Sequence, residues 1–441
     1  MRIVQLTPGS GDNFYCENCL RDRDLMRQLR GMGIDAMTVP LYLPPTGWGA
    51  KNSDGGQPTP IFYGGINVYF QQVCSLFRRT PRWVDRLLDS KPLLKLAGRL
   101  AGSTDPQSLG DTTLSMLAGE HGRQRKELDR LTDWLLHNGG ADVVVLSNLL
   151  LIGLAERLGR DLDAAVVCLM QDEDEFLDEL PDSPRQAAWQ MIAERAERVD
   201  RFVAASDYYR QAMIQRLGLG EDRVDVAPVG LGPADRPASP RPADPPVVGY
   251  LSRMTPPKGV DVLIEALGHL ARLRAGKPRV RCRLAGGATG VDKPFVQTCQ
   301  RRAAELGVDG DIEWLGHLPP DATGEFLASL TALSVPARRG ESSGRYVLEG
   351  WAAGVPAVQP ASGVFPELLA GGAGGVLVEP ENPQALAEAP AGVLDDPARV
   401  AALGDSGRDR LVRVFGPDRM AENVLAACQK AQKAQGARDA R

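Results

Sequence analysis

The sequence is poor in the residues that build metal and disulfide scaffolds. It holds four histidines and seven cysteines in 441 residues. An odd number of cysteines spread over this length is not a disulfide framework, so a reducing cytoplasm is the expected compartment. Apolar runs are short throughout. The first, Ile3-Val4-Gln5-Leu6, is too short for a signal-peptide core, and no later one approaches the length needed to span a bilayer. An excess of positive charge is also missing: the formal net charge is −5, which argues against a protein built to coat nucleic acid.

What is present is an ordinary globular balance. Apolar residues make up 43%, punctuated by Gly and Pro, and the length exceeds what one hydrophobic core organises, so two domains are expected. Strand-like and helix-like stretches alternate. Arg2 to Leu6 reads as a strand, Cys19 to Arg30 as a helix, and Ile34 to Leu43 as extended; Asp142 to Leu146, Ala164 to Met170 and Arg201 to Ala204 are further strands. Proline density in Gly232 to Pro246 blocks helix and ladder alike and marks an interdomain linker. A second alternating set follows, with strands at Val247 to Leu251, Val280 to Ala285, Ala332 to Val335, Val355 to Gln359 and Gly375 to Val378. Helices are expected at Val260 to Leu273 and Gly344 to Ala353. This pattern predicts an α/β fold of two Rossmann-like domains, 1–232 and 247–414, on either side of a ligand cleft. The tail, 415–441, lies beyond these two domains.

One segment interrupts the alternation. Leu76 to Arg99 carries seven basic residues, among them Arg78, Arg82 and Lys95, beside Trp83, Leu87 and Leu93. It reads either as a helical insertion with solvated arginines or as a peripheral contact with the inner membrane face through 76–99.

The densest chemistry lies in PARRGESSGRYVLEGWAAGVPAVQP. A strand ends, a loop follows, and a helix begins near Gly344, where unpaired N–H groups and partial positive charge suit a diphosphate. Val347, Leu348, Trp351 and Ala352 share one face, and Glu349 projects roughly 130° from its middle, at about 100° per residue. Glu349 is therefore expected to meet a ligand, with Glu341 over the same cleft. Arg345 in the first turn opposes the helix dipole unless an anion lies nearby; it serves a phosphate or an i,i+4 pair with Glu349. A second strand-to-helix turn, VVGYLSRMTPPKGVDVLIEAL, carries Arg253 and Lys258, two cations that fit a departing pyrophosphate or are plain surface charge.

Taken in order, SRMTPPKGVDVLIEAL, LAGGATG, IEWLGHLP, ESSGRYVLEGWAAGVPAV and GVFPELL resemble the retaining GT-B fold glycosyltransferases of the large family 4, the glycosyl transferases group 1. FVAASDYYRQAMIQRLG and VDVAPVGLGP extend the resemblance into the first half. The resemblance implies an enzyme that moves a hexosyl unit from a nucleoside-diphosphate sugar (UDP, GDP or ADP) to an acceptor hydroxyl with retention, without metal or cofactor. The acceptor is a glycan, a lipid-linked or a small molecule. It assigns Glu341 to the sugar hydroxyls, Glu349 to the ribose, and Arg253 and Lys258 to the diphosphate. Gly344, Arg345, Gly286 and Gly287 are placed around the donor, and Gly9 and Gly11 in the family's glycine-rich donor loop. The tail Phe415 to Lys430 is implied to cross back onto the first domain.

Two positions depart from the family's pattern. Gln171 stands where a histidine is usual; it cannot act as a base but can hold a sugar hydroxyl. Ser343 and Arg345 replace residues that are usually bulky or apolar. Glu173 and Asp174, in the run Asp172-Glu173-Asp174-Glu175, are assigned to acceptor hydroxyls, the alternatives being a metal or a solvated helix start. Gly64 and Gly65 of FYGGINVYFQQ suit either acceptor binding or a turn. Cys16-x-x-Cys19 at a helix N-terminus raises a redox or metal-binding alternative, against a structural or donor-loop role. Three other function classes are weighed: a CxxC-dependent redox protein, a non-catalytic sugar-nucleotide or membrane-surface binding protein, and a dinucleotide oxidoreductase. The last needs a third glycine that GSGDNF lacks.

Overall fold

The computed structural model describes residues 1–9, 17–42, 62, 106–232, 245–288 and 290–439. Gly11, Cys16, Gly64, Gly65, the basic stretch 76–99 and most of the Pro-rich linker lie outside the described residues. The chain divides into two units, Met1–Pro228 with Met420–Arg441, and Val229–Arg419.

The first unit is built on β1 (Arg2–Thr7), β2 (Asp35–Pro40), β3 (Val143–Leu146), β4 (Ala165–Met170), β5 (Arg201–Ala204) and β6 (Val224–Val226), in the order β2-β1-β3-β4-β5-β6. All its pairings are parallel, with Ile3 opposite Val143 and Val143 opposite Ala165. Strands covered on both faces must be apolar on both, and AVVCLM in β4 is buried at every position. Alternate residues feed two cores: Val4, Val144 and Val166 on one face, Ile3, Val143 and Val167 on the other. The helix Glu17–Gly31 covers this second face with Leu25, Met26 and Leu29.

The last helix, Pro417–Asp439, joins that same core through Met420, Ala421, Val424, Ala427, Cys428 and Ala431. Their three- and four-residue spacing makes one stripe, and its small side chains let the helix lie close. Lys430 and Asp225 add a 2.6 Å ion pair within this unit. The implied return of the chain to its first unit is thus present.

The second unit holds β7 (Val247–Leu251), β8 (Arg281–Ala285), β9 (Ile312–Gly316), β10 (Ala332–Leu333), β11 (Ala357–Pro360) and β12 (Gly375–Val378), again all parallel, in the order β12-β11-β10-β7-β8-β9. The strand order reverses between β7 and β10. A chain that winds outward in both directions from such a point leaves a crevice at the strand carboxyl ends, because the flanking connections depart to opposite faces.

The helix Arg345–Ala352 follows β10 and differs from expectation. All eight of its residues are buried, not one face alone. Trp351 packs near Phe415, with ring centroids 6.2 Å apart, and donates Nε1–H to the Gly374 carbonyl at 2.8 Å. The helix Pro397–Val414 packs against it, its Gly407 lying against the Trp351 ring. No helix among the described residues is long and apolar enough to cross a membrane.

Candidate functional site

The switch point of the second unit brings together two side chains 83 residues apart: Lys258 donates from Nζ to Glu341 Oε1 at 2.6 Å. Lys258 ends the single turn Pro256–Lys258 after β7, and the helix Val260–Leu273 starts two residues on. Glu341 lies in the loop after β10. Its side chain is 2% exposed and that of Lys258 12%. Backbone contacts hold both loops: the Val364 N–H donates to the Glu341 carbonyl at 2.9 Å, and the Arg338 N–H to the Pro257 carbonyl at 2.8 Å. Gly259 allows this approach. Its φ is +69°, and a Cβ there would meet the Pro336 carbonyl oxygen at 2.0 Å.

Ser342, Ser343 and Gly344 lead from Glu341 into the helix Arg345–Ala352, and all three are buried. Glu341 thus stands four residues before Arg345, the first residue of that helix, whose first-turn N–H groups carry the partial positive charge that suits an anion. Arg345 and Glu349 are paired within this helix. Glu349 is fully buried and accepts from Arg345 Nε at 3.2 Å, while the Arg345 side chain is 3% exposed. The angular argument from one apolar face fails because the helix is enclosed on every side. The i,i+4 pair considered for Arg345 is therefore formed.

Arg253 stands apart from that pair. It is 53% exposed, and its nearest anion among the described residues is Asp292 at 3.9 Å. Gly286 and Gly287, after β8, hold the backbone of its loop: the Met254 N–H donates to the Gly287 carbonyl at 3.1 Å, and a Cβ on Gly286 would lie 1.7 Å from the Ser252 carbonyl oxygen.

In the first unit, the ends of β1, β3 and β4 are tied by one guanidinium. Arg21 donates to Gln171 Oε1 at 3.0 Å, to the Ser147 carbonyl at 2.6 Å and to Asp22 at 2.8 Å, and Asp22 accepts from Thr7 Oγ1 at 3.0 Å. Burial pushes the Asp22 carboxyl up, against the pull of Arg21. Gln171 is only 1% exposed, so its carbonyl is spent on Arg21 inside the unit. Glu173 is likewise buried. It accepts the Leu149 N–H at 3.0 Å and the Gln171 N–H at 2.8 Å. The Tyr209 hydroxyl lies 2.9 Å from both Glu173 Oε2 and Asp174 Oδ1. Desolvation raises the Glu173 pKa to about 7 despite these bonds. Burial also pushes the Asp174 carboxyl up. Asp174, at the helix start Glu173–Asp178, is the less enclosed of the two. Gly9 follows β1, whose end is fastened to that of β2 by the Tyr42 N–H on the Pro8 carbonyl at 2.9 Å. Cys19 is buried on the helix Glu17–Gly31.

Sequence reasoning misses Arg21, Asp22, Ser147 and Tyr209, and also Arg338 and Asp261. RDRDLMRQLR reads as a solvated charged face, and nothing local in it shows that Arg21 and Asp22 point into the sheet.

Two parallel, doubly wound sheets with charged side chains gathered at the strand carboxyl ends make up the GT-B fold. Residues 233–410 match the model of the glycosyl transferases group 1. The chain is 36% identical over 171 residues to a GDP-mannose-dependent alpha-(1-6)-phosphatidylinositol monomannoside mannosyltransferase of Mycolicibacterium smegmatis, an alignment that spans 37% of this chain and 43% of that one. The chain thus spans less than half the length of that relative. Against a D-inositol 3-phosphate glycosyltransferase of Segniliparus rotundus it is 26% identical over 86% of its own length and 87% of the other. Among solved structures, Anabaena HepE in complex with UDP and glucose superposes with a TM-score of 0.69 at 18% identity, covering 97% of this chain and 99% of that one. Sucrose-phosphate synthase from Thermosynechococcus elongatus gives a TM-score of 0.69 at 16% identity, covering 98% and 100%.

Proposed function

We propose that this chain is a retaining glycosyltransferase that moves a hexosyl unit from a nucleoside-diphosphate sugar to an acceptor hydroxyl without a metal. The observation that carries this reading is the Lys258–Glu341 pair at the β7/β10 switch point, beside the N-terminus of a fully buried helix. Such a place offers a cation, a carboxylate and backbone N–H groups within one diphosphate-sugar length. Two of the similar proteins support a donor of this class: HepE was solved with UDP-glucose, and the mycobacterial relative is GDP-mannose-dependent.

In this mechanism the diphosphate is neutralised by Lys258, by the first-turn amides at Gly344 and Arg345, and by Arg253 once its exposed side chain turns inward. Lys258 carries three donors and can serve Glu341 and a phosphate oxygen together. Glu341 accepts from the hydroxyls of the transferred sugar and fixes its orientation. The bond from the anomeric carbon to the diphosphate breaks, and a bond to the acceptor oxygen forms on the same face. The acceptor proton passes to the departing phosphate, and the nucleoside diphosphate leaves. The rate gain is electrostatic and positional. Glu349 is assigned to the ribose on the resemblance alone, given its burial against Arg345. The acceptor-side assignment of Gln171, Glu173, Asp174, Gly64 and Gly65 rests on the resemblance and on sequence position.

The test begins with thermal shift against UDP-, GDP- and ADP-sugars, since a bound donor raises apparent stability. The stabilising donor is then followed for transfer and for slow hydrolysis without acceptor, in the wild type and in Glu341→Gln. The expected result is stabilisation by one nucleotide class and near-complete loss of turnover in the variant. No stabilisation by any donor, or full activity of Glu341→Gln, would sink the assignment.

A further inference from the structure

We propose that Arg338 is a positioning residue that sets Lys258 against Glu341, acting through the turn that carries Lys258. The inference rests on the reading of that pair as donor-binding.

Arg338 lies on the loop after β10, three residues before Glu341, and reaches back across the β7 turn at several points. Its Nη1 donates to the Pro256 carbonyl at 2.6 Å and to Asp261 Oδ1 at 2.8 Å, and its Nη2 donates to Asp261 Oδ2 at 2.6 Å. Its own N–H donates to the Pro257 carbonyl at 2.8 Å. Pro256 and Pro257 immediately precede Lys258, and Asp261 lies in the first turn of the helix that follows. The turn is thus gripped on both sides of Lys258 by the loop that bears Glu341. The same loop approaches Gly259 so closely that a Cβ would meet Pro336.

The chemistry of the grip favours arginine. One guanidinium meets a carboxylate bidentately and a carbonyl as well, which a point-charge ammonium cannot do in a fixed geometry. Glu381 lies 3.4 Å from Nε and completes the charge balance. Both Nη atoms of Arg338 are directed at the turn and at Asp261, so its reach toward the pair is through Lys258. Hydrogen bonds to Asp261 hold the guanidinium strongly in its charged form. Two prolines stiffen the turn, so a displacement at Pro256 is transmitted to Lys258 rather than absorbed.

A residue acting through Lys258 makes a prediction that a simple brace does not. Arg338→Met should lower kcat by about 10- to 100-fold, the range expected when a reacting group is misplaced by about 1 Å, with donor KM changed less. Arg338→Lys should recover part of the loss. In a Lys258→Met background, Arg338→Met should have little further effect on kcat, since the group it places is gone. An equal fall in both backgrounds, or wild-type kcat in Arg338→Met, overturns the proposal. Amide hydrogen exchange supplies a readout that needs no donor. In Arg338→Met the Lys258 and Gly259 amides should exchange about 10-fold faster or more while the β7 amides keep their protection. Unchanged exchange at Lys258 and Gly259 overturns the inference even if the wild type should transfer no sugar, a result that would instead strike the functional reading.

Discussion

Lys258 Nζ and Glu341 Oε1 meet at 2.6 Å although 83 residues separate them in the chain. Strand order explains the meeting. β7 and β10 are neighbours in the sheet, and each ends in a loop that opens at the same edge. Neither loop alone contains both signs of charge in the right place. The site exists because the chain winds away from β7 in one direction and returns beside it from the other.

The pair also bears on stability. Glu341 is nearly inaccessible and Lys258 partly so, so removing the cation leaves a carboxylate with poor access to water. Lys258→Met is expected to cost about 1–3 kcal/mol, below the range for fully buried pairs because Lys258 retains some solvent. The double variant Lys258→Met/Glu341→Gln should recover much of that loss. Urea unfolding of the wild type, both single variants and the double variant measures the coupling. Additive losses would show that the two side chains do not interact in solution.

Glu173 should leave a signature in the pH dependence of folding. Burial raises its pKa in the folded chain to about 7, from 4.5 for the ordinary carboxyl. Between those values the folded chain binds more protons at this group than the unfolded chain does, so stability falls as pH rises. The stabilisation is complete below about pH 4.5 and lost as pH passes through about 7. Relative to Glu173→Gln, the wild type should therefore lose stability from about pH 5 to about pH 8, read as a steady change in the difference between their denaturation midpoints. A flat difference would mean that Glu173 titrates as an ordinary carboxylate.

Gly286 and Gly287 make a matched pair of probes. At Gly286 φ is +150° and a methyl group would lie 1.7 Å from the Ser252 carbonyl oxygen, whereas a methyl group at Gly287 would meet nothing within 4 Å. Gly286→Ala should cost about 3 kcal/mol or more, because backbone on both sides must move. Gly287→Ala should stay within about 0.5 kcal/mol of the wild type. Thermal unfolding distinguishes them. Equal melting temperatures would show that the Ser252 loop yields freely.

Much of the fold is legible in the sequence. Val247–Leu251, Arg201–Ala204 and Gly375–Val378 are strands at the expected bounds, and Val260–Leu273 is a helix at both expected ends. These are elements whose periodicity or apolar run is set locally. The helix Arg345–Ala352 lies within a residue of its expected bounds at each end. Its surroundings are not legible: the apolar stripe through Val347 and Trp351 says which face must be covered, yet nothing in it shows that all eight residues are buried. The burial of Glu349 beside Arg345 is likewise visible only in the folded chain.

The sequence by itself determined where strands and helices alternate, that two units form, and that Glu341, Arg253 and Lys258 lie in the turns after strands while Glu349 lies inside a helix. Those properties follow from spacing along the chain. Only the tertiary structure decided which charges meet. Lys258 pairs with Glu341 while Arg253 stays solvent-facing, Arg345 takes Glu349, and Arg21 rather than an acceptor takes the Gln171 carbonyl. Electrostatic partnership depends on distances between strand ends far apart in sequence, and sheet order and helix burial alone set those distances.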